Sequence, residues 1–247
     1  MVEGGETKCV NECPANGNTC STNADCQGEC VGCVIPSGQS SGTCQACQRT
    51  EYLEATGTQY INTGIFPSDN FKTELEWYTT AIGSAYTCGS RAASSDFTIY
   101  FAFGGSATGA TVDGIVNGTH STAKTGNKNW QRLASGQKYS ASITIHGDST
   151  FTYTIQDKTN NRSFNETKSY TPMGNVTVPI YLFAYQPSNV IANMRAYMFR
   201  MYKEGVLILD FVPVHAPFKT DGKQNCMFDR VSGELFCNAG TGDFLIP

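Results

Sequence analysis

Glu74 and Glu76, in "TELEW", are the nearest thing in this chain to a pair of catalytic acids. Cleaving a glycosidic bond takes two carboxylates flanking it, roughly 5–10 Å apart. Enzymes that carry such acids on alternate positions of one strand add a third, and this run has none. Lys72 shares the side of Glu74 and Glu76, and Leu75 and Trp77 take the other, which describes a solvated strand face. The three histidines do not form a site either. His120 lies in "NGTHST", His146 at a turn and His215 after "DFVPV", with no i, i+4 spacing and no acid, Cys or Ser arranged beside them. Cys88, in "AYTCGSR", has no local base to activate it and is expected as a buried thiol. "FGGSATGA" is turn-like and lacks phosphate-loop spacing, and no acidic loop has EF-hand spacing. No cofactor and no metal are therefore expected; a surface calcium held by loop carbonyls and one Asp would leave no mark in a sequence. The chain reads as a protein that is not an enzyme.

The cysteines offer two chemistries. Eight of the 11 fall between Cys9 and Cys47. Cys30-x-x-Cys33 and Cys44-x-x-Cys47 have the ligand spacing of a zinc ribbon. The spacer between the pairs is short for a ribbon, however, and four further cysteines crowd the same stretch. Disulfides in an oxidising compartment are the favoured reading. Residues 1–49 contain few sizeable aliphatics (Val10, Val31, Val34 and Ile35), too few to offset ordering entropy by burial, so covalent links must supply the constraint.

Sugar recognition needs aromatic rings for stacking and Asn, Asp, Gln or Arg for hydroxyls. Trp77 falls on the apolar side of its strand and reads as core. Trp130, in "TGNKNWQRL", sits among polar residues and is the candidate platform, although a loop aromatic tucked against a sheet edge reads equally well. "AYQPSN" contributes Tyr185, Gln186 and Asn189, and "GSRAASSD" contributes Arg91 and Asp96. Four Asn-x-Ser/Thr sequons, at Asn117, Asn161, Asn165 and Asn175, mark surface positions.

The elements that must position these residues are strands. Charged residues make up only 15 % of the 247, while Gly, Ser, Thr and Asn are abundant. "FKTELEW" alternates Phe71, Thr73, Leu75 and Trp77 against Lys72, Glu74 and Glu76. "KYSASITIHGDSTFTYTIQ" reads as a hairpin, with Tyr139, Ala141, Ile143 and Ile145 before a Gly-Asp turn and Phe151, Tyr153 and Ile155 after it. "VPIYLFAY" and "RAYMFRMYKEGVLILDFVPV" are apolar on both faces, as inner strands are. No segment has a convincing helical period. In "NCMFDRVSGELFCNAGTG", pairing Phe228 with Leu235 sets Cys226 opposite Cys237, where an antiparallel pair can bridge. A Cys226–Cys237 disulfide is predicted, with Asp229, Ser232 and Gly233 in the turn. The net charge of −4, without basic clusters, excludes a nucleic-acid footprint. No apolar run approaches the ~20 residues of a membrane helix, and "MVEGGETKC" is not a signal peptide.

Two resemblances add to this. "YLEATGTQYINTG", "DFVPV" and "DRVSGELFCNAGTG" resemble a concanavalin A-like, laminin-G-like jelly-roll domain of gut bacterial surface proteins and phage tail proteins, covering about residues 51–247. It implies two antiparallel sheets face to face, with the closing hairpin as architecture; its two cysteines depart from the commoner pattern. "CPANGNTCSTNADCQGECVGC" is similar to cystine-knot miniproteins of the squash-inhibitor type, with a wider gap between the fourth and fifth cysteines and a longer loop before the sixth. Knot connectivity would imply Cys13–Cys30, Cys20–Cys33 and Cys26–Cys44, with Cys9 and Cys47 closing the ends. The inhibitor's presenting loop is here "PANGNT", with Ala15 and no bulky neighbour.

The expectation is thus an all-β chain: a disulfide-rich module over 1–49 and a two-sheet antiparallel jelly-roll sandwich over 50–247. The function expected is extracellular, at a cell or virion surface, and non-enzymatic: adhesion to a glycan or glycoprotein on a host or bacterial surface, with no nucleic acid and no membrane insertion. The rivals are a self-associating component of a surface filament or virion, a glycoside hydrolase on the same scaffold and, more weakly, a protease inhibitor.

Overall fold

The alternation of "FKTELEWYT" is realised along the whole Phe71–Thr79 strand, in which every odd residue is buried and every even one partly exposed. Phe71, Leu75 and Trp77 are wholly buried, each such side chain contributing about 1.5–3 kcal/mol of transfer free energy. The computed structural model describes residues 19–20, 31–34, 39–80, 85–91, 99–104, 111–126, 128–130, 136–172, 176–185 and 192–247. Among them every paired strand is antiparallel and no helix occurs, so none is long and apolar enough to cross a membrane.

The larger sheet has ten strands. From one edge run Arg162–Ser169, Thr150–Asp157, Gln137–Ile145, Phe71–Thr79, Asn193–Lys203, Val206–His215, Asn225–Asp229 and Leu235–Cys237. Leu53–Thr56 pairs with the first part of Asn193–Lys203, and Gln48–Arg49 with the end of Val206–His215. Gln48–Arg49, the end of the stretch expected as a separate module, is thus already paired into this sheet. The second sheet has six strands: Thr119–Thr122, Thr111–Val116, Ile99–Gly104, Ala85–Ser90, Tyr181–Leu182 and Ile61–Asn62. Antiparallel sheets packed as a sandwich are what the alternation calls for. The 139–155 hairpin has the expected register, with Ile145 opposite Phe151, Ile143 opposite Tyr153 and Ala141 opposite Ile155.

One apolar core joins the sheets, with Trp77, Ile143, Tyr153, Phe199 and Phe211 from the larger and Val116, Leu182 and Cys88 from or beside the smaller. Cys88 is the buried thiol expected. The sheets approach closely at Gly114, where an added Cβ would lie 2.5 Å from the Tyr153 ring. Only a residue without a side chain fits there, because Tyr153 is itself enclosed on all sides.

The closing hairpin has the pairing and turn chemistry expected of it. Cys226 stands opposite Cys237 with Cα atoms 4.3 Å apart, and the two form the predicted disulfide. The buried Asp229 carboxylate accepts from the amides of Asp210, Val231 and Ser232 and from the Ser232 hydroxyl, and Gly233 takes the left-handed conformation at φ +77°. In the following loop, Asn238 Oδ1 accepts from the amides of Tyr60 and Gly240 while its Nδ2 donates to the carbonyls of Thr241 and Gly242. Outside the larger sheet, Val212, Val214, Cys226 and Phe228 form a small apolar cluster against which Cys47, Leu235 and Cys237 pack. Cys47 is itself disulfide-bonded. In the cysteine-rich segment, Gly42–Ala46 lies between Thr19–Cys20 and Val31–Val34, with Cys33 opposite Cys44 in register. Cys9, Cys13, Cys26 and Cys30 lie outside the described residues.

Gly114→Ala is expected to destabilise the sandwich by about 1–3 kcal/mol through overpacking against Tyr153, read as a lower urea midpoint. An unchanged midpoint would mean that the sheets do not approach there.

Candidate functional site

The outer face of the larger sheet is a grid of polar and aromatic side chains set by strand register. Across its three central strands run four rows: Lys138, Tyr78 and Arg195; Ser140, Glu76 and Met198; Ser142, Glu74 and Arg200; Thr144, Lys72 and Tyr202. Period-two alternation places all of these on the side away from the core. A bulge in Asn193–Lys203 changes one position. Ala196 pairs with Trp77 and Met198 with Glu76, so Tyr197 is the extra residue. It occurs where this strand changes its second neighbour from Leu53–Thr56 to Val206–His215. Bulges re-aim side chains in this way.

At this end the aromatic and charged groups interlock. The Arg195 guanidinium lies 4.5 Å from the Tyr52 ring centre and 5.5 Å from that of Tyr78. Its Nε donates to Glu54 at 2.7 Å. Tyr52 and Tyr197 meet edge to face at 5.9 Å, and the Lys138 ammonium sits 3.9 Å from the Tyr197 ring centre. A recess of about 350 Å³ opens here, lined by Glu54, Tyr78, Thr80, Gly136 and Arg195. Gly136, at φ +106°, lets the backbone pass beneath Tyr78, whose hydroxyl would be 3.3 Å from an added Cβ. One phenol ring, a threonine, a carboxylate and a guanidinium thus line one concavity, with Tyr52 and Tyr197 packed beside it. Such groups can hydrogen-bond a polyol.

Glu74 and Glu76 belong to this face, as expected, and the structure adds ion pairs to both. Lys72 lies 2.5 Å from Glu74, and the Tyr202 hydroxyl donates to the same carboxylate at 3.2 Å. Glu76 is held by Lys158 at 2.7 Å and Lys138 at 3.0 Å. Burial pushes the Glu76 carboxyl up, but hydrogen bonds and charge from the two lysines outweigh this and hold it below its ordinary value. A general acid needs the opposite shift. Burial likewise raises the Tyr197 and Tyr202 phenols, with Glu51 adding to the first and Glu74 to the second. Glu54 holds Arg195 more firmly protonated.

The loop candidates fare differently. Trp130 is a correction: it is 1 % exposed, its Nε1 donates to Thr125 at 2.8 Å, and the Arg162 guanidinium covers its ring at 4.6 Å. A ring so enclosed offers no face for stacking. The polar residues beside it are a local feature, whereas the strand edge it tucks under comes from elsewhere in the chain. Tyr185 and Arg91, from two different candidate loops, do meet. The Arg91 amide donates to the Tyr185 carbonyl at 3.1 Å and its guanidinium lies 5.7 Å from the Tyr185 ring, which packs edge-on against Tyr86 at 4.2 Å. Tyr185 is buried, so this cluster is mainly packing beside the second sheet. Gln186, Asn189 and Asp96 lie outside the described residues. The histidines do not converge: His120 contacts Asp113, His146 contacts Thr152 and His215 contacts Asn225, each within its own part of a sheet. No group of three or more metal-ligating side chains occurs among the described residues.

Tyr52, Tyr78, Tyr197 and Arg195 were not singled out by sequence. Tyr78 could have been found by extending the Lys72–Glu74–Glu76 face by one step. Tyr197 could not, because the bulge that exposes it depends on its neighbours.

No protein-family model matches this chain, and no curated protein matches it in sequence. Among solved structures it is similar to tailspike protein 2 of Escherichia coli O157:H7 bacteriophage CAB120, at 12 % identity and TM-score 0.43, over 68 % of this chain and 23 % of the tailspike. It is also similar to Scytalido-glutamic peptidase with a peptide-based transition-state analogue, at 12 % identity and TM-score 0.38, over 79 % of this chain and 100 % of the peptidase. A third likeness is to SCP-B of the Eqolisin family of peptidases, at 13 % identity and TM-score 0.36, over 79 % of this chain and 100 % of that one. Likenesses at this level carry no functional argument.

Because the folded Glu76 carboxyl lies below its ordinary value, its ion pairs stabilise the protein above that value and the contribution is lost as pH falls through the lowered one. Glu76→Gln is expected to lower stability at neutral pH by about 1 kcal/mol or less and to flatten the acid limb of a urea-midpoint profile. A variant whose acid limb stays as steep as the wild type would count against the lysine clasp.

Proposed function

We propose that this chain is an extracellular, non-enzymatic recognition and adhesion protein that binds carbohydrate on the outer face of its larger sheet. The observation that carries this reading is the recess at Tyr78 and Arg195. Half-buried Tyr52 and Tyr78 flank an arginine fixed by Glu54, and Tyr197 packs edge to face on Tyr52, so rings and hydrogen-bonding groups are pre-set before any ligand arrives. Pre-ordering of this kind suits a ligand that is flat on its faces and polar at its rim, as a sugar ring is.

The disulfide at Cys226–Cys237, together with the disulfide-bonded Cys47, supports an oxidising, extracellular setting at a cell or virion surface. With this reading go the jelly-roll, laminin-G-like class of the sandwich, the division into a 1–49 module and a 50–247 domain, and partners that are glycans or glycoproteins on a host or bacterial surface. The step from fold to sugar is one of site chemistry, since a sandwich by itself implies no ligand.

A glycan array probed with the intact, oxidised protein tests the reading, with Tyr78→Ala and Arg91→Ala alongside. Binding to a defined glycan family is expected, weakened about tenfold or more by Tyr78→Ala and unchanged by Arg91→Ala. The reverse pattern would move the site to the loops beside the second sheet. A blank array with folded, monomeric protein would overturn carbohydrate binding in favour of a structural role.

A further inference from the structure

The recess at Tyr78 is one end of a longer feature. At the other end of the same strands, a second recess of about 600 Å³ is lined by residues that include Asn70, Lys72, Thr144, His146, Tyr202 and Glu204. Three turns lock together to form it. The Glu204 amide donates to the Asn70 carbonyl at 2.8 Å, and Gly147 approaches the Asn70 side chain so closely that a Cβ would lie 3.3 Å from its Oδ1. Asn70 and Glu204 both take positive φ to make this fit. His146 is fixed by Thr152 at 2.9 Å, and the Lys72 ammonium lies 5.4 Å from the Tyr202 ring centre. This end therefore repeats the composition of the first: a tyrosine beside a cation, a carboxylate and side-chain hydroxyls.

Register joins the two ends. Tyr78 and Lys72 are six residues apart on one strand, which at about 3.4 Å per residue spans roughly 20 Å. The rows between them, headed by Glu76 and Glu74, are polar throughout apart from Met198. The cations along the strip are each engaged by an acid, although Glu76 serves two lysines and Asp210 serves both Arg200 and Arg230. Lys72 is matched to Glu74, Lys138 and Lys158 to Glu76, Arg195 to Glu54, and Arg200 to Asp210. A strip with its cations already held by carboxylates offers many hydrogen-bonding groups and few uncommitted charges, which suits a neutral, hydroxyl-rich polymer better than a polyanion.

We infer that this face takes a neutral oligosaccharide of several rings laid along the strands, with Tyr78 and Arg195 at one end and Lys72 and Tyr202 at the other. The inference rests on the carbohydrate reading above and adds the size, charge and direction of the ligand. The Tyr202 end supplies affinity only when the chain is long enough to reach it.

Titration calorimetry with size-graded fragments of a neutral β-glucan tests this. Wild-type affinity is expected to rise about tenfold or more from the shortest to the longest fragment. Tyr202→Ala, and independently Lys72→Ala, should remove that rise while leaving affinity for the shortest binding fragment unchanged. Tyr78→Ala should weaken every length. Affinity independent of length, or a rise that survives both Tyr202→Ala and Lys72→Ala, would overturn the extended site while leaving carbohydrate binding in place. Binding of sulfated or uronic-acid fragments in preference to neutral ones, or of no β-glucan fragment by a protein that binds an acidic glycan on the array, would overturn the neutral assignment. A blank array would instead remove the reading beneath both.

Discussion

The pairing of Asn193–Lys203 with Phe71–Thr79 is the constraint on which the rest of the molecule depends. It is the longest strand contact in the larger sheet, and its core side carries Leu75, Trp77, Phe199 and Met201. Its outer side carries two of the three columns of the polar grid. The two functions cannot be separated, since in a strand any shift that moved an outer residue by one place would turn the core side to water. The break in register at Tyr197 falls where Asn193–Lys203 changes its second partner, so one extra residue both accommodates that change and delivers a third tyrosine to the outer face.

Most of this architecture was legible in the sequence because it is local. The alternation in "FKTELEW", the hairpin about His146–Thr150 and the opposition of Cys226 and Cys237 follow from a two-residue period and a turn. What was not legible depends on segments distant in the chain. Trp130 has polar neighbours in sequence, yet Arg162 and Thr125 enclose it. Tyr78 and Arg195 come from two separate strands and Tyr52 from the residue before a third, and nothing in any one of them announces the cluster. Arg91 and Tyr185 were each chosen as loop residues; that they touch was beyond the reach of a sequence pattern. A bulge such as that at Tyr197 is likewise set by the partners of its strand rather than by its own residues.

Charge is distributed on the larger sheet so that acids rarely stand alone. Asp210 receives Arg200 and Arg230, while its own amide donates to Asp229, the acid that shapes the closing turn. A change at Asp229 would therefore reach the outer face through Asp210 and Arg200, linking the last hairpin to the strip without touching it. The apolar cluster of Val212, Val214, Cys226 and Phe228, capped by Cys47, lies on the flank of the same face. Cys47, at the end of the cysteine-rich segment, thus packs on the sheet next to the polar strip.

The two outermost strands of the larger sheet differ in how their backbones are occupied. Arg162–Ser169 places Arg162, Glu166 and Lys168 along one rim and is tied across to the second sheet, Ser121 donating to Glu166 at 2.8 Å and Lys168 to the His120 carbonyl at 2.7 Å. Leu235–Cys237 is only three residues long and is stapled to its neighbour. Short, charged, cross-tied or covalently pinned rims resist the addition of a further strand from another molecule. Any copies that met at these two rims would do so through side chains and loops instead of a continuous hydrogen-bonded ribbon.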